Sequence, residues 1–414
     1  MEIVVLKGNN EIGGTCIQLS TGSTTILLDV GLPLSATSVC VDVATINADA
    51  VLVSHSHQDH FGLIDRLNPD TPVYMGELGK NLIDATHVLI GKKLHDNNFR
   101  FFNSWKPFHV GDFKITPYLV DHSAIDAYAF LVEADGKRLF YSGDFRSHGR
   151  KGKLFDNLVM HPLPDIDLMF LEGTMIHRSN DEFPTESAVE KKMLDILTQQ
   201  KNISFIISSS QNIDRIVSAF KACKKSGKTL VIDIYTAWVL EKVREVSENV
   251  PGMEWDNVRL YADFSQDEKL KANPDYFGDF RKRLYRHRVK WQELTANPSS
   301  FVYFGKMSSF RKINAFREGN GPVNIIYSQW QGYLDGKHSD YFGADRIAEF
   351  RNDSEINFVY AHTSGHAPLK DLQSLAKALN PKILVPIHTE YGEEFGKSFD
   401  NVMTLTDGVP FVLN

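Results

Sequence analysis

The sequence predicts an α/β protein of two domains, in which a strand-rich first domain is interrupted by a second α/β domain and completed by the end of the chain. Three observations predict this. The first third alternates short apolar runs with turns, and the middle alternates apolar strands with helices. The final stretch returns to strands that end in histidine, as the early strands do. At 414 residues the chain exceeds one ordinary core, and a hydrophobic content of 42% is ample for two.

Taken in order, runs of β-branched and aromatic residues bounded by turn formers predict strands at residues 3–7, 15–20, 25–28, 51–54, 113–120, 128–133 and 138–141. An amphipathic helix is expected near 79–94, and the run Leu168-Met169-Phe170-Leu171 adds a strand. From Glu186 the pattern changes to a helix up to Gln199, a strand at 203–208, a helix to Ala222, a strand at 230–234 and a further helix. Such alternation reads as parallel βαβ units. After a polar stretch around 335–355, strands return at 356–361 and 383–387, separated by a helix starting near Pro368. The predicted divisions are 1–180, an insertion at 181–354, and 355–414 completing the first domain.

No apolar stretch approaches the length of a membrane span, and the start Met1-Glu2-Ile3-Val4 lacks the basic region and cleavage site of a signal peptide. A soluble, cytoplasmic protein is expected. Cys16, Cys40 and Cys223 have neither CxxC nor disulfide-framework spacing. The net charge of -7 argues against coating nucleic acid by bulk electrostatics, though it leaves room for a local basic groove. Gly227-Lys228-Thr229 lacks the first glycine of a P-loop, and no GxSxG elbow occurs.

The chemistry is concentrated in His55-Ser56-His57-Gln58-Asp59-His60, directly after the run Val51-Leu52-Val53. Imidazole nitrogen and carboxylate oxygen are the ligands of hydrolytic zinc sites, and so dense a cluster suits two ions about 3.5 to 4 Å apart. The same residue types follow other apolar runs: Asp29, His122, Asp144, Glu172 and His388. Any one of these alone reads as a turn residue, a helix cap or a partly buried polar group. Together, at successive strand ends, they are better explained as one site.

These motifs resemble the metallo-β-lactamase superfamily, whose HxHxDH signature is matched by His55, His57, Asp59 and His60. The later motifs, Glu172 in Leu171-Glu172-Gly173-Thr174, His366, and His388 in Pro386-Ile387-His388, resemble its β-CASP branch. Within that branch, His362-Thr363-Ser364-Gly365-His366-Ala367 is most similar to the ribonuclease J group. The resemblance implies an αββα sandwich with an inserted β-CASP domain. It implies one metal on His55, His57 and His122, another on Asp59, His60 and His388, Asp144 bridging, and Asp29 behind the ligands. The function it implies is a di-zinc phosphodiesterase cutting single-stranded RNA with a metal-activated hydroxide, with Asp59 accepting a proton and His366, held by Glu172, as general acid. Manganese fits the same ligands, and a homodimer is compatible with the group. His388 favours RNA over DNA. The alternatives are a hydrolase of a small ester or cyclic nucleotide, with the insertion as a lid, and a single-stranded DNA nuclease.

For the substrate side, Ser209, Ser210, Asn212 and Arg215 resemble a strand-to-helix phosphate contact, with a plain helix cap as the equally weighted alternative. His362, Ser364 and Gly365 are a candidate phosphate cradle next to the metals by the same resemblance, while the residues alone favour an ordinary glycine-containing turn before a helix. The basic run Arg281 to Trp291, with Arg283, Tyr285, Arg286 and Arg288, is a candidate RNA track that competes with a solvated helix face.

Overall fold

A computed structural model describes residues 1–34, 38–179, 181–335 and 342–414. Within the first unit two sheets are built mainly from strands buried along most of their length. The seven-stranded sheet has the order β19-β1-β2-β3-β4-β5-β6, with β1 Glu2–Lys7, β2 Cys16–Thr21, β3 Thr24–Leu28, β4 Ala50–Leu52, β5 Pro72–Met75, β6 Asn98–Phe101 and β19 Phe411–Val412. The six-stranded sheet has the order β18-β11-β10-β9-β8-β7, with β7 Phe108–Val110, β8 Phe113–Val120, β9 Ala127–Ala134, β10 Lys137–Tyr141, β11 Leu168–Glu172 and β18 Ile383–Ile387. Ile3, Ile17, Leu19, Ile26 and Leu28 of the first pack against Phe113, Phe130, Leu139, Phe170 and Val385 of the second, forming one core between the sheets. The outer face of the six-stranded sheet buries Leu131, Phe140, Met169 and Leu384 against Leu372, Leu375 and Leu379 of the helix Leu369–Leu379. Sheet on sheet with helices outside is the expected αββα sandwich.

The second unit holds a six-stranded, wholly parallel sheet in the order β14-β13-β15-β12-β16-β17, with β12 Ser204–Ile207, β13 Thr229–Asp233, β14 Val258–Tyr261, β15 Phe301–Gly305, β16 Val323–Tyr327 and β17 Ile356–Tyr360. The central strands are buried along their length, as both faces of a parallel sheet require.

The units comprise residues 1–81, 95–180 and 365–414, and residues 82–94 and 181–364. This corrects the predicted return at residue 355. The strand predicted at 356–361 pairs in parallel with β16, Ile325 opposite Phe358, and Ile356 joins the second unit's core. The return therefore begins at Gly365. The helix expected at 79–94 spans Glu77–Ile90 and stops at Gly91, whose φ of 77° suits a C-terminal cap. Strands β5, β6, β7, β14, β15, β16 and β19 come in addition to those predicted. No helix among the described residues is long and apolar enough to cross a membrane.

Candidate metal centre

In the first unit the strands ending near the site point their carboxyl ends to one place. Strands β3 and β4 run parallel, as do β10, β11 and β18, and the pairings β8·β9 and β9·β10 turn β8 the same way. Asp29 follows β3, the His55 cluster β4, His122 β8 and Asp144 β10, while Glu172 closes β11 and His388 follows β18. His366 precedes the helix at Leu369. Asp29 and His388 have φ of 57° and 54°, so each chain turns left-handed as it leaves its strand. Gly31 is required beside them, because a Cβ there would lie 1.7 Å from the Asp59 carbonyl oxygen.

These residues form overlapping groups whose ligand atoms lie within 4.8 Å of one another: His55, His57 and His122; His55, His60 and Asp144; Asp59, His60 and His388; and Asp144, Glu172, His366 and His388. Donors about 2.1 Å from one tetrahedral ion are about 3.4 Å apart. His57 Nδ1 and His122 Nε2 are separated by 3.3 Å, His60 Nε2 and Asp144 Oδ2 by 3.1 Å, His388 Nε2 and Asp59 Oδ2 by 3.2 Å, and His55 Nε2 and Asp144 Oδ2 by 3.7 Å. His55 Nε2, His60 Nε2 and both Asp144 oxygens are buried without a hydrogen-bond partner. Buried donors left bare and aimed together fit a cation.

The supporting contacts fix which nitrogen faces inward. His60 donates from Nδ1 to Asp29 Oδ2 at 2.7 Å, leaving Nε2 for the site. Asp29 also accepts from the Ser54 amide at 2.6 Å, the Ser54 hydroxyl at 2.8 Å and the Tyr141 hydroxyl at 2.5 Å. The Thr174 hydroxyl sits 2.8 Å from His388 Nδ1 and holds that ring in the same sense. Ser54, Tyr141 and Thr174 were not legible as site residues, since each reads as an ordinary strand-end polar group. His366 donates from Nδ1 to Glu172 Oε2 at 3.1 Å, and Glu172 is fully buried, taking backbone N–H bonds from Phe145 and Thr174.

Burial holds His55 and His122 well below the usual imidazole pKa and brings His57 to about 4, with neighbouring imidazoles adding to the effect. Neutral imidazole is the metal-ligating form. His366 is raised to about 9, because Glu172 and Asp144 outweigh its burial. Burial opposes the charged form of Asp59 and Asp144, yet the surrounding imidazoles hold both carboxyls below their usual range. Replacing Asp29 by Ala should weaken metal binding about 10- to 100-fold, the usual effect of losing a carboxylate behind a ligating histidine. Metal competition with a chromogenic chelator measures this; unchanged affinity would show that Asp29 serves the fold alone.

Gly365 belongs to the first unit, where a Cβ on it would meet Ser123 Oγ at 2.4 Å and His122 Cε1 at 3.4 Å. The remaining substrate-side residues lie in the second unit, and several are corrected there. Arg215 is wholly buried, bonded to both Glu186 oxygens, the Ser328 carbonyl and hydroxyl, and the Thr363 carbonyl, so its guanidinium is consumed by the fold. His362 accepts from it at 3.1 Å. Asn212 caps the helix Ile213–Lys225 by accepting from the Arg215 amide, and buried Ser210 bonds Thr236. Ser209 is exposed, its hydroxyl accepting from the Gln211 amide. Ser364 ends the unit.

The basic run fares similarly. Arg281 pairs with Asp267, Arg283 with Glu241, Glu254 and Asp279, and Tyr285 donates to Asp267. Trp291 packs on Tyr261 and Phe316 at the core. Arg286 and Arg288 remain exposed, with Arg288 over the Tyr285 ring. Acidic neighbours thus neutralise half of the expected track, and its tryptophan is a packing residue.

Residues 26–201 match the beta-lactamase superfamily domain, and residues 357–395 match the Zn-dependent metallo-hydrolase RNA specificity domain. The chain is 22% identical to ribonuclease J of Helicobacter pylori over 94% of this chain, and it spans 56% of that protein's length. It is 22% identical to ribonuclease J of Mycoplasma genitalium, over 98% of this chain and 72% of that one. It is 23% identical to "Probable RNase MJ4" of Methanocaldococcus jannaschii, over 94% of this chain and 93% of that one. A crystal structure of a protein of unknown function from Enterococcus faecalis V583 superposes with a TM-score of 0.75 and 20% identity, covering 99% of each chain. The αββα sandwich, the strand-end histidines and these matches agree: residues 26–201 carry a beta-lactamase superfamily domain, and the chain is ribonuclease J-like across most of its length.

Proposed function

We propose that the chain is a metal-dependent phosphodiesterase that cleaves single-stranded RNA, with two zinc ions in its His/Asp cluster. The observation that carries this reading is the meeting of two ligand groups around Asp144 with the His366–Glu172 pair at one edge of the first unit. One ion would be held by His55, His57 and His122, the other by Asp59, His60 and His388, with Asp144 between them. When bound, such ions supply an activated water at neutral pH and offset charge on the phosphoryl oxygens.

The protein's own groups do the proton work. Asp59 presents a partly exposed carboxylate beside His388 and can accept the proton of the attacking water. Glu172 takes the Nδ1–H of His366, so the proton that His366 gives to the leaving oxygen comes from Nε2. RNA as the substrate is supported by the relatives named as ribonucleases and by the RNA specificity match over residues 357–395.

Zinc-loaded protein should cut end-labelled single-stranded RNA and leave the matched single-stranded DNA largely intact, and EDTA should abolish the cleavage. Cleavage of DNA alone would replace RNA by DNA in this reading. Turnover of small esters with no action on either nucleic acid would overturn it.

A further inference from the structure

The two strands that deliver Glu172 and His388 carry a feature outside the metal groups. Strands β11 and β18 are parallel neighbours with Glu172 opposite Ile387, so the segments that follow them leave the same edge side by side. His177 lies on the first segment and Tyr391 on the second. Their rings meet edge to face, centroids 4.5 Å apart and planes at 87°. Tyr391 is nevertheless 40% exposed.

Both rings are held in place. The Tyr391 amide donates to Thr389 Oγ1 at 3.2 Å, and that hydroxyl donates to the Gly173 carbonyl at 3.0 Å, tying the two segments together next to the Thr174–His388 contact. His177 Nε2 pairs with Glu394 at 3.1 Å, and Glu394 is in turn paired with Lys397. A large ring, braced but left open three positions beyond a site histidine, buries its apolar face only when something covers it. Glu390 and Glu393, beside it in sequence, disfavour a phosphate on the ring, whereas an uncharged base meets no such repulsion.

We infer that Tyr391, braced edge-on by His177, is the stacking platform for one base of the strand beside the bond to be cut. The inference rests on the reading of the chain as an RNA-cutting enzyme and names the part of the substrate that this edge recognises. Stacking needs the ring and not the hydroxyl, and it accepts any base because every base has a π-face. His177 acts through Tyr391 as a positioning residue.

The test is a scan of single-stranded RNA oligomers carrying one abasic nucleotide at successive positions around the cleaved bond, with KM and kcat determined separately. In the wild type one position next to the cleaved bond should raise KM about tenfold. Tyr391→Ala should raise KM on intact RNA by a similar factor and abolish that positional penalty, with kcat within about twofold. Tyr391→Phe should behave as wild type. Anisotropy titrations of intact RNA in excess EDTA should show the same order of affinities without turnover, and unchanged thermal unfolding confirms that the variants fold. A penalty that persists in Tyr391→Ala, or Tyr391→Phe failing as Tyr391→Ala does, overturns the platform while leaving the RNA reading intact. A wild type that cuts no RNA overturns both.

Discussion

Asp144→Ala is expected to reduce phosphodiester cleavage by about 10³-fold or more, with loss of metal seen by direct metal analysis. The size follows from its position. Asp144 is buried, both its oxygens lack a hydrogen-bond partner, and it faces His55, His60, His366 and His388 at 3.1 to 3.7 Å. It belongs to two of the four ligand groups and is approached by a histidine of each of them, so its removal takes away the carboxylate that His55, His60, His366 and His388 share. Asp144→Asn keeps the shape and removes the charge, and should fall between wild type and Ala in metal content. Full metal content with full activity in Asp144→Ala would remove the cluster from the chemistry.

The second large effect is on stability. Arg215→Met should lower the unfolding free energy by about 3 to 5 kcal/mol, because it takes the cation from the buried Glu186 carboxylate and this donor from the Ser328 carbonyl and hydroxyl, His362 Nδ1 and the Thr363 carbonyl. Adding Glu186→Gln should recover part of the loss, since the uncompensated charge is then gone. Denaturant titration with both variants measures this. If Arg215→Met unfolds like the wild type and weakens RNA binding with a reduced salt slope, Arg215 contacts phosphate after all.

How the sequence relates to these two residues is instructive. Asp144 was legible because its pattern repeats: strand, turn, ligand type, at one strand end after another, with the His55 cluster too dense for a structural explanation. Arg215 misled because a cation near a helix start has the same local signature whether it meets a phosphate or a carboxylate, and the deciding partner, Glu186, lies on another helix. Within the basic run, the pairing of Arg281 and Arg283 was hidden for the same reason. Asp267, Glu241 and Glu254 lie outside it, and no property of the run announces them. Strand β17 shows the limit for the fold. Its apolar pattern gave the strand but not the sheet, because β16 and β11 offer similar apolar neighbours and pairing is settled by tertiary packing.

The strand that carries His388 also sets a timetable. Asp59 and His388 face each other across 329 residues of sequence, and β18 completes the sheet only by docking beside β11. A chain is made from its N-terminus, and domains fold as they emerge. Throughout synthesis of the insertion, the early histidines wait without their last partner. For the RNA-cutting enzyme proposed above, this order has a protective value: the growing chain, still attached to its own message, cannot complete its metal groups until the strand that carries His388 has been made.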